Sequence, residues 1–184
     1  MEERLTGLES IIQTLDCNIK LLEYMSFDLH QKQFNLYNNM GLLWIWKSIL
    51  ESQIINFYKL NIVSEKFSFK KVLNLLRVNE QDVDYENLEM MIQDLKDDFD
   101  KYQFALIRSK YLAHQDICDG EVRTDLLIIR MHTDKTIILF KTMISEIQKE
   151  HKEFSDDILN SFKEIFEKMN ESEKVSAYKN AAKK

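Results

Sequence analysis

The chain of 184 residues has no proline, only three glycines and only two cysteines. Proline and glycine are the residues that most often interrupt helices. Their scarcity, beside the many Leu, Ile, Lys, Glu and Gln residues, predicts an all-α domain. The two cysteines, Cys17 and Cys118, lie far apart in the sequence. We expect them to be reduced thiols of a cytosolic protein rather than a disulfide framework.

Long apolar runs are also missing. The most apolar stretch, residues 41–46, ends at Lys47 and is far too short to span a bilayer. The start, Met1-Glu2-Glu3-Arg4, lacks the basic beginning and apolar run of a signal peptide. We therefore expect a soluble, cytoplasmic protein with no membrane partner, and the 45% apolar content is enough for one domain with a real core.

The chain carries a formal net charge of −6, so basic surface is scarce. This charge argues against a broad nucleic-acid-binding surface. It leaves room for an enzyme that processes RNA, because a small basic cleft can focus a field against an acidic background.

Apolar residues recur at helical spacing along most of the sequence. In the first predicted helix they are Leu5, Leu8, Ile11 or Ile12, Leu15, Ile19 and Leu22. In the fourth, which Asp84 is expected to cap, they are Leu88, Met91, Leu95, Phe99, Tyr102 and Leu106. The pattern predicts an antiparallel bundle of about five to six helices in one domain over 1–170, followed by a polar, frayed tail over 171–184. Residues 121–132 are ambiguous between strand and helix. The predicted helices cover Glu2–Phe27, Gln31–Leu60, Ser68–Leu76, Asp84 to between His114 and Gly120, the residues after Thr133, and Ser155–Met169.

One segment, residues 107–116, ends the fourth predicted helix with Arg108, Lys110 and His114. A neutral histidine can take or give a proton near neutral pH, and a guanidinium can hold a phosphate. The pairing therefore suits RNA cleavage. The ordinary alternative is that these cations only complement the negative end of the helix dipole.

The spacing within this segment has a geometric consequence. Six residues turn an ideal helix about 240° past full circles, so Arg108 and His114 do not share a stripe. Lys110 and His114, four residues apart, are neighbours on one face. A second copy of the segment, related by a two-fold axis, would supply the missing partner, which is a first indication of a dimeric site.

The string Arg-Ser-Lys-Tyr-Leu-Ala-His-Gln-Asp over 108–116 resembles the HEPN superfamily. The signature of that family is an Arg, usually followed by a polar residue, and a His four to six residues later. A Lys two residues after the Arg and the ending Ala-His-x-Asp resemble its abortive-infection (AbiU-type) branch. A long apolar helix over 42–60 and a short helix over 68–76 also fit. The resemblance covers about residues 30 to 150 and implies a HEPN-like helical bundle.

The resemblance also implies an activity. Members of this type are commonly metal-independent endoribonucleases that act as homodimers, with the two motifs facing each other, and serve as toxins or phage-defence effectors. Arg108 matches the motif arginine and His114 the motif histidine. Ser109 stands where the family more often has Asn or Asp. Lys110 and Asp116 match the branch pattern. The implied partners are an RNA substrate, a second copy of the chain and a cognate antitoxin protein; no cofactor is expected.

The chemistry is consistent with these residues. The 2′-hydroxyl of RNA attacks the adjacent phosphorus once a base takes its proton. His114 can be that base, or the acid for the leaving oxygen, and Arg108 can stabilise charge on the phosphoryl oxygens without a metal. Lys110 can hold a flanking phosphate, and Asp116 can orient the imidazole.

Other patterns allow alternatives. The basic cluster of the third helix is a solvated face, or carries RNA phosphates if it borders the cleft; it consists of Lys66, Lys70, Lys71 and Arg77. A zinc site is disfavoured because no closely spaced ligand pair repeats among its candidate ligands, His114, Cys118, His132 and Cys17. The polar residues Glu51, Gln53 and Asn56 either form a polar face or line the motif. The rival function is a catalytically silent helical module that binds a partner protein or a nucleotide.

Overall fold

The computed structural model describes residues 1–28, 40–109, 125–147 and 153–168, and all regular structure in these ranges is helical. The predicted all-α helical bundle is therefore confirmed. No helix in these ranges is long and apolar enough to cross a membrane. In the part up to residue 147 the helices are α1 (Glu2–Glu23), which continues into a π-helical turn (Tyr24–Asp28), α2 (Met40–Asn61), α3 (Phe69–Val78), α4 (Tyr85–Lys101), the one-turn α5 (Phe104–Ile107) and α6 (Leu126–Glu146).

The first helix packs against α2 and α6 and supplies one wall of the core. Its predicted apolar stripe is confirmed, because each of these residues is at most 3% exposed: Leu5, Leu8, Ile12, Leu15, Ile19 and Leu22. Such spacing places all six side chains on one side of a helix with 3.6 residues per turn. Gly7 lies on the same helix where the ring of Phe67 occupies the space that a Cβ would need.

The second helix changes character along its length. At its start Met40 and Trp44 are 64% and 58% exposed, whereas Phe57 and Leu60 near its end are at most 1% exposed. A helix that is apolar on most of its surface is expected either in the centre of the bundle or buried in a dimer. Within this chain only its second half is enclosed.

Side-chain caps mark the starts of α4 and α6, whereas the Ser68 hydroxyl before α3 makes no cap hydrogen bond. The Asp84 carboxylate accepts a hydrogen bond from the Asn87 N–H at 3.0 Å, which confirms the predicted start of α4. Asp125 accepts from the Leu127 N–H at 2.8 Å, so α6 begins at Leu126 and includes the residues after Thr133 that the sequence predicts as helix. This cap settles the ambiguous run after residue 125 as helix.

The fourth predicted helix is not continuous. It stops at Lys101, and Gln103 takes a left-handed conformation with φ 54° before α5 begins. The break rotates the chain, so that Phe104 and Ile107 are buried while Leu106, on the predicted stripe, is 36% exposed. The break allows the large Phe104 ring to be buried. In a continuous helix the same ring would lie away from the buried stripe.

The described residues 153–168 belong to a second compact unit. Its described part contains α7 over 157–168, close to the predicted Ser155–Met169 helix. The Ser155 hydroxyl accepts from the Asp157 N–H at 3.1 Å, and the Phe162 and Phe166 rings pack 4.8 Å apart. The predicted tail over 171–184 lies outside the described residues.

The left-handed Gln103 gives a stability prediction. A side chain in this conformation costs about 1 kcal/mol that glycine avoids, so Gln103→Gly should raise the free energy of unfolding by about 0.5 kcal/mol. The matched control, Gln93→Gly in the interior of α4, should lower it by about 1 kcal/mol. Urea denaturation measures both. Equal destabilisation by the two glycines would contradict the helix break.

Candidate functional site

Arg108 follows α5 directly and lies over an aromatic ring of α2. Its guanidinium carbon is 4.4 Å from the centroid of the Tyr58 ring, within the range of a cation–π contact. The Arg108 side chain is exposed. The neighbouring Ser109 hydroxyl donates to the Leu106 carbonyl at 3.0 Å, so it caps its own turn. The predicted site residues Lys110, His114 and Asp116 lie outside the described residues.

Arg108 differs from the other arginines in the described ranges. No carboxylate of these ranges lies within ion-pair distance of it. Each of the others contacts an oxygen atom. Arg4 donates a hydrogen bond to the Lys66 carbonyl, and Arg77 pairs with Glu89 at 2.9 Å. Arg130 pairs with Glu23 at 2.8 Å and with Asp134 at 2.9 Å. A stacked guanidinium keeps its N–H edges available for bidentate contacts, so Arg108 can receive a phosphate.

Beneath this position an aromatic cluster holds α5 in place. Phe104 packs 5.0 Å from the Phe57 ring of α2 and 5.8 Å from the Phe99 ring of α4. His132 of α6 lies in the middle, 4.5 Å from Phe57 in a perpendicular arrangement and 4.9 Å from Phe104. We refer to Phe57, Phe99, Phe104 and His132 as the aromatic cluster. It connects α2, α4, α5 and α6 at one point.

His132 is a core group. Asn61 Nδ2 donates to the Phe57 carbonyl at 2.9 Å and lies 3.4 Å from His132 Nε2, so that imidazole nitrogen accepts. The hydrogen of the neutral ring is then assigned to Nδ1, which has no partner among the described residues. Burial lowers the pKa of His132 to about 4, against a smaller opposing effect of Asp98. The ring is therefore neutral at physiological pH.

The position of His132 in the aromatic cluster gives no support to a zinc site. His132 is 1% exposed and faces aromatic rings. Across the ranges that the structure describes, no group of three or more His, Cys, Asp or Glu side chains could hold a metal. Of the other proposed ligands, Cys17 is half-buried on α1, and His114 and Cys118 lie outside those ranges.

A second buried polar contact crosses the bundle. Gln53 Nε2 donates to Thr133 Oγ1 at 2.8 Å and to the Leu15 carbonyl at 3.3 Å. Gln53 and Asn56 are buried, so the expectation of an exposed polar face is wrong for them. Whether they line the motif stays a prediction, because residues 110–116 lie outside the described ranges. The Gln53 Nε2 group is satisfied by α1 and α6, whereas its Oε1 is buried with no partner among the described residues. Glu51 is half-buried and 3.9 Å from Lys47.

The predicted basic cluster is mostly engaged in local contacts. Lys66 pairs with Glu3 at 2.6 Å, and Lys71 donates to the Ser64 carbonyl at 2.7 Å. Arg77 pairs with Glu89 and stacks on the Tyr85 ring. Lys70 is exposed and has no partner among the described residues. No described contact joins any of the four to Arg108.

The sequence interpretation missed two residues of this region. The near-helical spacing of the aromatic residues of α2, Tyr58 among them, predicts that they lie in the core. Tyr58 is instead half-exposed and supports Arg108. His132 was considered only as a zinc ligand. Its spacing from the buried Ile129, Thr136 and Phe140 on α6 places it on the buried stripe, and that spacing was visible in the sequence.

Comparisons of this chain with protein-family models, with curated proteins and with solved structures find no match. The residues themselves, above all Arg108 and the motif that it begins, are the basis for assigning a function.

The buried His132 predicts a pH dependence of stability. The imidazole has its ordinary pKa of 6.5 in the unfolded chain and a pKa of about 4 in the folded chain. The stability that the neutral ring contributes is therefore complete above about pH 6.5 and is lost as the pH falls towards 4. Between about pH 7.5 and about pH 5 this loss amounts to about 2 kcal/mol. His132→Phe should remove that part of the slope. Urea denaturation at the two pH values measures it, and equal slopes for both proteins would refute the assignment.

Proposed function

We propose that this chain is a HEPN-type, metal-independent endoribonuclease that acts as a homodimer, of the kind that serves as a toxin or phage-defence effector. The observation that carries the proposal is Arg108: it is exposed, stacked on Tyr58, and without a carboxylate partner in the described ranges. It is also the first residue of the Arg-x5-His motif that ends at His114.

In this proposal the chemistry is an internal transesterification. The O2′–P bond forms while the P–O5′ bond breaks. A base takes the O2′ proton, and an acid gives a proton to the leaving O5′. His114 serves as base or acid, and Arg108 stabilises the charge on the phosphoryl oxygens. Lys110 holds a flanking phosphate, and Asp116 orients the imidazole.

The contact with Tyr58 supports the role of Arg108. A long, flexible arginine loses side-chain entropy when it binds a phosphate. Stacking on an aromatic face fixes the guanidinium plane before the substrate arrives, and it leaves the N–H groups at the edge of the plane unused. A lysine at this position would keep the charge but lose both the planar stack and the bidentate edge.

The rival function remains the catalytically silent module that binds a partner protein or a nucleotide. It is favoured by the net charge of −6 and by the local pairing of Lys66, Lys71 and Arg77, which leaves little free basic surface around α3. The two functions share a fold, so activity must separate them.

The first functional prediction concerns the motif side chains. His114→Ala should abolish cleavage of a single-stranded RNA, because imidazole is the group suited to proton transfer at neutral pH. Arg108→Lys should lower the cleavage rate by at least about tenfold, because the bidentate contact is lost. Arg4→Ala, at a half-exposed arginine of α1, is the matched control and should cleave like the unaltered protein.

Circular dichroism should show unchanged helicity in all three variants, and cleavage by the unaltered protein should persist in EDTA. Undiminished cleavage by His114→Ala would remove this residue from the mechanism. Loss of activity in EDTA would instead require a metal.

The proposed dimer has a candidate surface on α2. Trp44 and Ile55 are 58% and 36% exposed and lie on one side of the helix with Tyr58, which supports Arg108. Ile45, beside them, is 43% exposed. An isologous contact along this side would cover apolar surface and bring two copies of Arg108 towards each other.

The second functional prediction is complementation between chains. Arg108→Ala and His114→Ala chains, each inactive alone, should recover part of the activity when they are mixed and their subunits exchange. The recovery follows if each catalytic centre takes Arg108 from one chain and His114 from the other. Trp44→Glu, which puts charge into the proposed contact, should prevent the recovery. Full-rate cleavage by a protein that sediments as a monomer would contradict the composite site.

A further inference from the structure

A cavity of about 640 Å³ lies between the end of α2, α3 and α4. This size falls within the range of pockets that bind small molecules. About half of its wall is apolar, and the apolar side chains come from all three helices, chiefly Leu60, Phe69, Leu73, Met90, Ile92 and Leu95. Met90 is 65% exposed, so one side is accessible from solvent.

The charges that line this cavity do not cancel. Lys96 forms an ion pair with Asp100, and Glu89 is neutralised by Arg77 at 2.9 Å from outside the lining. Lys70 has no partner within the described ranges. Its ammonium is therefore the one charge of the described lining left available to a ligand, and it is positive.

The cavity also has a polar wall. Asn61 lines it and is only 8% exposed. Its Nδ2 donates to the Phe57 carbonyl and to His132 Nε2, so the same side chain touches both the cavity and the aromatic cluster. A molecule that contacts Asn61 changes the environment of the imidazole beside it.

We propose that this cavity binds a small molecule with an aliphatic body and a single anionic group. The body packs against the apolar walls, and the carboxylate or similar head pairs with Lys70. A cationic ligand would meet only carboxylates that are already paired. A polyanion such as a nucleotide would need further free cations, which the described lining does not offer. This site is separate from the proposed ribonuclease chemistry and does not depend on it.

The test is a titration of the full chain with decanoate below its micellar concentration. Isothermal calorimetry measures affinity and stoichiometry, and NMR follows the Met90 methyl group and the ring nitrogens of His132. We expect one decanoate per chain, with shifts at both residues. The cationic analogue decyltrimethylammonium should bind at least about threefold more weakly.

Two matched variants locate the head group. Lys70→Gln should weaken decanoate binding about threefold to fivefold, the effect of losing one partly exposed ion pair. Lys141→Gln, which removes an exposed charge on α6 outside the lining, should leave it unchanged. Both changes are on the surface and should leave the fold intact. Equal weakening by the two variants, equal affinity for the two head groups, or no decanoate binding would each overturn the proposal.

Discussion

The packing of Phe104 into the aromatic cluster is the contact on which the candidate site depends. α5 is only four residues long, far below the length at which a helix is stable by itself. It follows a residue in a left-handed conformation, which also disfavours it locally. Burial of the Phe104 ring against Phe57 and His132 must therefore supply the stability, and Arg108, the next residue after α5, takes its position over Tyr58 as a result. The buried Phe104 ring therefore determines where the exposed Arg108 guanidinium lies.

The core around this cluster includes polar groups, and they explain how the helices are kept in register. Gln53 connects α2 to Thr133 of α6 and to the backbone of α1, and Asn61 connects α2 to His132. A hydrogen bond in the core adds little net stability, but a slip of one helix would leave such groups unpaired at much greater cost. His132 is another of these core polar groups, and its burial keeps the imidazole neutral. On the surface, Lys135 of α6 forms ion pairs with Asp94 and Asp98 of α4. Solvent weakens these pairs because they are partly exposed.

Local sequence rules predicted much of this fold. The stripe of α1 and the Asp84 cap depend on residues close in sequence, and both were recognised. The break after Lys101 could not be predicted from spacing, because it depends on a pocket that Phe57 and His132 create from distant helices. The burial of Gln53 could not be predicted for the same reason: its partners lie on α1 and α6. At the candidate site, Arg108 could be selected from its motif, whereas its stacking on Tyr58 is a tertiary contact between residues fifty positions apart. The HEPN resemblance rests on the motif and remains a prediction.

The central claim is that Phe104, through the aromatic cluster, holds Arg108 over Tyr58. The ring-current shift of the Arg108 δ protons measures this most directly, because protons above an aromatic face resonate upfield of their ordinary position. The account predicts an upfield shift in the unaltered protein, a movement towards the ordinary position in Phe104→Leu, and no change in Phe67→Leu, whose ring lies against α1. Ordinary δ-proton positions in the unaltered protein, or an upfield shift that survives in Phe104→Leu, would contradict it.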